Sequence, residues 1–241
     1  VQEVRVVVMR RALLVVLALV AVSVAANTSG SDTGGSSESV SPIRNPSGTR
    51  PGLRPVADAD RARARAIVHR VRVGSPELGG YDRGAFGPAW TDSSGAAFGH
   101  NGCRTRDDVL SRDLVGERRR DRCVVVSGSL SDPYTGRTIE FSKQHAQAVQ
   151  IDHVVALGYA WRQGAARWSA ARRERLANDP LNLLAVDGPE NVRKSDRGPS
   201  RWMPPREDER CAFAVRVAQV VVRYRLVVTP DDDRAMLEAC S

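Results

Sequence analysis

The run QIDHVVAL (residues 150–157) sets an acid and a histidine, Asp152 and His153, among Ile151, Val154 and Val155. Burying two ionisable groups costs free energy unless they find partners or a metal, so the pair asks for a purpose. An unperturbed imidazole titrates at about 6.5 and can take a proton at physiological pH. Further along the chain come Asn182 in PLNLL, then Asn191 and Lys194 in NVRK. Asn191 offers a neutral amide oxygen. Lys194 follows it by three residues, hence on the same helical face, where an ammonium can meet phosphate or steady a transition state. The chain has 34 Arg and 2 Lys, and the two cations are not interchangeable at a tight phosphate site. Phosphodiester hydrolysis needs residues of these types: a base for the attacking water, and positive charge on the phosphoryl and leaving oxygens, which one divalent ion can supply. Singly, each feature has an ordinary structural reading, as a hydrogen bond, a turn residue or a solvated helix end. Their order and spacing point to one site.

Positioning them takes several elements. Residues 57–73 read as a helix by composition, with Ile67 and Val71 at i, i+4 spacing, and the Gly- and aromatic-rich stretch 74–102 reads as irregular chain. A helix is predicted over 105–114, with Thr105 and Asp108 close to a capping box. The β-rich runs 123–130 and 137–142 flank SDPYTG and read as a hairpin. Residues 148–157 read as a strand entering a helix, and 169–179 as a helix stopped by Pro180. Residues 181–186 are extended, and 187–196 open with a turn and carry Pro189 at a helix start. Two closing helices are predicted over 208–226 and 229–240, the last capped by Thr229. Neighbouring residues of a strand point to opposite faces, so Asp152 and His153 must lie at a strand end or a bend to converge. The class is α+β, mostly helical.

The series DH, PLNLL and NVRK resembles the His-Asn-His (HNH) endonuclease superfamily, whose site is a ββα-metal motif and whose last His is often Asn, here Asn191. NLLAVDGPENVRKSD is similar to the HNH segment of RNA-guided CRISPR nucleases. Residues 78–241 resemble secreted bacterial HNH-family proteins through YDRGAFGPAW, CRTRDDVLSRDL, SGSLSDPYTG, VQIDHVVAL, NDPLNLLAVDGPENVRKSD and WMPP. The resemblance implies a single domain around a ββα-metal core with an additional hairpin. It implies that Asp152 and Asn191 hold a metal, that His153 is the base, and that Asn182 holds the His153 ring through its carbonyl. It also implies a product bearing a 5′-phosphate. Two oxygen ligands with waters suit Mg²⁺, with Mn²⁺ second. The substrate implied is nucleic acid, DNA ahead of RNA, with low sequence specificity. The competing reading is a catalytically inactive secreted module of the same fold that binds nucleic acid or the cell envelope.

Other residues contribute less. Arg106 and Arg193 are candidate substrate contacts, although a surface salt bridge explains Arg106 with Asp107 better. Arg83 and Trp90 could touch substrate or pack. GERRRDR (116–122) reads as a solvated charged loop. There is no G-x-S-x-G frame, P-loop or dinucleotide fingerprint. The formal charge of +8 fits a polyanion partner, but the Arg bias makes composition a weak guide. Residues 1–26 read as a secretory signal peptide, with Arg10 and Arg11 before an apolar core and small residues near Ala26. The residues ahead of Met9 read as an extended n-region or a start-site artefact. The apolar run is short for a membrane anchor. Residues 27–56 read as a disordered Ser/Gly/Pro linker and 57–241 as the domain. No stable membrane insertion is expected after cleavage. Four cysteines behind such a signal favour disulfides. Three pairings exist, and Cys103–Cys123 with Cys211–Cys240 closes the shortest loops.

Overall fold

The structure, a computed structural model, describes residues 52–77 and 79–241. The expected signal peptide and the linker up to residue 51 lie outside the described residues. The chain runs through α1 (Arg61–Val68), β1 (Arg72–Val73), α2 (Thr105–Asp113), β2 (Val115–Arg119), β3 (Val125–Ser131), β4 (Thr138–Ser142), β5 (Val149–His153), α3 (Leu157–Arg162), α4 (Ala170–Asn178), β6 (Leu183–Asp187), α5 (Gly188–Lys194), α6 (Arg210–Tyr224), β7 (Val227–Val228) and α7 (Pro230–Glu238). This is the expected α+β domain. Both disulfides form as expected, Cys103–Cys123 and Cys211–Cys240.

The centre is the antiparallel pair β5–β6, in which His153 lies opposite Leu183 and Asp152 opposite Leu184. All five residues of β6 are buried. Leu183 and Ala185 enter a core with Val109, Leu110, Phe141 and Ile151, whereas Leu184 and Val186 enter a second core with Tyr134, Phe213, Val217 and Met236. A strand covered on both faces reads as a continuous apolar run, which is why LNLLAV shows no alternation. The second core is mainly helical. It buries one stripe of α6, including Phe213, Val217 and Val221, against α1 and α7.

Helix starts follow local chemistry. The side chains of Ser169, Asp187 and Thr229 accept from the backbone N–H of Arg172, Glu190 and Asp232, as N-caps do. Gly188 begins α5 because a Cβ there would stand 2.0 Å from the Gln147 carbonyl oxygen.

Three expectations change. The charged run after residue 115 is partly a strand, β2, paired with β3 to make a three-stranded sheet with β4. It is an edge strand with no buried residue, so it lacks the alternation that reveals strands. Thr105 does not cap α2; Arg104 holds the cap position, and the Thr105 hydroxyl donates to the Thr91 carbonyl at 3.1 Å. The first helix stops at Val68, and β1 leaves it to pair in parallel with β7.

Candidate functional site

Asp152 lies on the β5 face that meets the helical core and is 5% exposed. The Tyr134 hydroxyl donates to its Oδ2 at 2.5 Å, and Lys194 Nζ donates to its Oδ1 at 2.9 Å. Burial pushes the Asp152 carboxyl up, and Lys194 and Tyr134 pull it back. Lys194 is fully buried and also donates to the His153 carbonyl at 2.8 Å. Tyr134, Trp202 and Phe213 pack edge to face around this group, with Lys194 Nζ 6.0 Å from the centre of the Trp202 ring. The expectation that Lys194 reaches phosphate is therefore corrected. The ammonium stands behind Asp152, because the one carboxylate on this face needs its charge balanced in the core.

His153 is the last residue of β5 and faces the other way. Its Nε2 lies 2.9 Å from the Ala177 carbonyl. A carbonyl only accepts, so Nε2 carries the proton and Nδ1 the lone pair. Trp90 stacks on the ring, with centroids 5.5 Å apart and planes 10° from parallel. Burial pulls the imidazole down to about 4, helped by Arg83 and Lys194 and opposed by the Ala177 bond. At neutral pH it is an uncharged base whose tautomer is set. The expected ring holder, Asn182, does not perform that role. Its Oδ1 accepts from Val155 N–H at 2.8 Å and its Nδ2 donates to the Val155 carbonyl at 3.2 Å. Asn182 staples the chain leaving β5, and a backbone carbonyl of α4 orients the ring in its place.

Asn191 lies one turn before Lys194 on α5. Its Nδ2 donates to Gln150 Oε1 at 2.9 Å, which directs the amide and leaves Oδ1 without a hydrogen bond among the described residues. Asp152, His153 and Asn191 line one cavity of about 290 Å³ together with Tyr81, Arg83 and Asp196. Asp196 is held by Arg162 at 2.6 Å. The Arg83 side chain makes no ion pair or hydrogen bond with the described residues, so its guanidinium is free to meet an anion. It reaches the cavity from the irregular segment, which α4 anchors: Arg173 Nε donates to the Ala85 carbonyl at 2.9 Å. The other two candidate contacts do not line the cavity. Arg193 pairs with Glu190 on its own helix. Arg106 is half-buried, with burial lowering its pKa, and Asp107 instead accepts from Val125 N–H at 3.0 Å.

Among the described residues no group of three or more His, Cys, Asp and Glu is placed to hold a metal. The smaller donor set does fit a hard divalent cation. Each Asp152 oxygen accepts one hydrogen bond and keeps a lone pair, and Asn191 adds an open amide oxygen. One carboxylate with one neutral oxygen suits an ion that retains several waters. The sequence assigns no role to Tyr134, Trp202 or the Ala177 carbonyl. The Tyr in SDPYTG and the Trp in WMPP are plain to see, but nothing local joins either to residue 152.

Residues 104–239 match the family described as GmrSD restriction endonucleases, C-terminal domain. A protein of Arthroderma benhamiae described as an uncharacterized secreted protein is 38% identical over 175 residues, covering 70% of this chain and 80% of that one. No solved structure matches the chain. That relative is fungal, so the bacterial origin that the resemblance carried has no support.

Proposed function

Because the chain belongs to the family of GmrSD restriction endonuclease C-terminal domains, we propose that it is a secreted, metal-dependent endonuclease of the HNH type. It hydrolyses phosphodiester bonds in nucleic acid, DNA ahead of RNA, with low sequence specificity. The observation that carries this reading is the strand–strand–helix unit β5–β6–α5, from which Asp152, His153 and Asn191 line one cavity. His153, neutral with Nδ1 open, takes a proton from water as the water attacks phosphorus in line. Arg83, which lines the same cavity, neutralises a non-bridging phosphoryl oxygen. Asp152 and Asn191 are the residues that would hold Mg²⁺, or Mn²⁺ in its place. When bound, the ion offsets charge on the phosphoryl group and on the leaving 3′ oxygen. Lys194 and Tyr134 keep Asp152 fixed, and Trp90 shields one face of the ring from bulk water. A product with a 5′-phosphate is the expected outcome.

Secretion is supported by the description of the relative and by two disulfides, which persist in oxidising compartments. Among the described residues no helix is long and apolar enough to cross a membrane.

The test incubates purified protein with supercoiled plasmid and Mg²⁺ or Mn²⁺, with and without EDTA. Wild type nicks the plasmid and EDTA stops it. His153→Ala lowers the rate at least a hundredfold, while the melting temperature moves by a few degrees at most. Equal nicking by this variant refutes the role of His153. Gel shifts by wild type without nicking favour the inactive binding module.

A further inference from the structure

Away from the cavity, a second pocket of about 450 Å³ is lined by Ser169, Arg172, Arg175, Arg223, Tyr224 and Arg225. Four arginines line it, and no carboxylate lines the walls. The nearest acid, Asp179, is buried; it takes Arg223 at 3.2 Å and the Tyr224 hydroxyl at 2.7 Å. Arg172 lies 4.2 Å over the Trp168 ring and donates to the Tyr224 carbonyl. The Arg175 and Arg225 side chains have no ion pair or hydrogen bond among the described residues. The excess of positive charge is therefore about three, gathered in a concave site.

Local structure makes this costly without an anion. Ser169 caps α4, so the positive end of that helix opens into the pocket. The first turn of α4 contains Arg172 and Arg173 and no acid, the reverse of what the helix dipole favours. Arg225 also holds a left-handed backbone at φ 52°, a conformation that costs a non-glycine residue free energy.

The pocket is joined to the cavity by α4 itself. Arg172 is in its first turn, and the Ala177 carbonyl that holds His153 is in its last, about 7 Å along the axis at the helical rise. The Arg175 guanidinium also lies against Gly95, where a Cβ would meet it at 3.0 Å. Gly95 belongs to the segment whose Trp90 covers His153. A strand that advances about 3.4 Å along the duplex axis per phosphate covers that distance within a few nucleotides.

We propose that the Arg172–Arg175–Arg223–Arg225 pocket binds a backbone phosphate of the nucleic-acid strand, a few nucleotides from the bond presented to His153. The proposal rests on the nuclease reading for its substrate, but it needs neither a metal nor turnover.

Binding is therefore measured in EDTA, by fluorescence anisotropy of a labelled 20-nucleotide DNA and its RNA counterpart across a salt series. The variant is Arg175→Gln with Arg225→Gly, which removes two unpaired charges and gives the left-handed position to the residue that tolerates it. Wild type binds, and the variant binds at least tenfold more weakly at low salt. Its log–log salt slope is smaller by about 0.7 to 0.9, the value for one phosphate that is no longer neutralised. Arg175→Lys with Arg225→Lys keeps most of the affinity. Equal affinity and slope in wild type and the Gln/Gly variant overturn the proposal, as does a wild type that binds neither oligonucleotide. Plasmid nicking by wild type separates the two ideas. Nicking with unchanged binding in the variant rejects the pocket alone, and weakened binding without any nicking by wild type rejects the nuclease reading alone.

Discussion

At the scale of single residues the site depends on an asymmetry. Lys194 and Asp152 form an ion pair at 2.9 Å with side chains 1% and 5% exposed. A buried pair is a weak source of net stability, but breaking one leaves a charge without a partner in the core. Lys194→Met is therefore expected to cost about 3–5 kcal/mol, read from the urea midpoint. Adding Asp152→Asn should recover part of this loss, because a neutral amide needs no counter-charge and can still accept from the Tyr134 hydroxyl. A Lys194→Met variant within about 1 kcal/mol of wild type, inside the range of an exposed pair, would show that the pair is not what holds this face. The catalytic consequence is indirect. Lys194 does not line the cavity, so its loss should raise the cation concentration needed for half-maximal nicking more than it lowers the plateau rate.

At the scale of elements the decisive feature is how the chain leaves β5 and returns as β6. The two strands pair from Val149–Asp187 to His153–Leu183, and the connection between them carries α3 and α4. Asn182 closes that connection with both ends of its amide on Val155, while Val154 N–H donates to the Asn182 carbonyl at 2.8 Å. Asn182→Ala is expected to destabilise the fold by about 1–3 kcal/mol, the cost of buried backbone groups left unpaired. Nicking should fall by less than tenfold in the remaining folded protein, since the Ala177 carbonyl still holds the ring; a loss as deep as that of His153→Ala would return Asn182 to the catalytic group. The case shows where the sequence stops being informative. Strand β6, the Pro189 helix start and the nearest-neighbour cystines were readable, because each is written in adjacent residues or in loop length. The His153–Ala177 bond was not, since a backbone carbonyl has no residue type. Nor was Tyr134 on Asp152, because the partners stand 18 positions apart with strand β4 between them. Edge strand β2 was hidden by its exposure, and Arg83 and Trp90 join the site only through the packing of α4.

At the scale of the whole molecule, stability should depend on pH through an acid remote from the chemistry. Glu209 immediately precedes α6, the helix tied by Cys211–Cys240 to the end of α7. It is 3% exposed, its Oε2 has no hydrogen-bond partner, and Arg206 Nη1 stands 4.0 Å from Oε1. Burial pushes its carboxyl up to about 7, with Arg206 opposing. In the unfolded chain a glutamate titrates at about 4.3. Between these values the folded state holds the proton and the unfolded state releases it, so stability falls as pH rises through that window. The contribution is complete below about 4.3 and lost above about 7. Glu209→Gln cannot ionise and keeps the volume, so it should be more stable than wild type at pH 8 by about 1 kcal/mol after allowing for solvent screening. For a domain of this size that corresponds to a melting temperature about 2–4 °C higher. The gap should close toward pH 4.5, and a difference between the two melting curves that stays constant from pH 4.5 to pH 8 would show that Glu209 is not the group responsible.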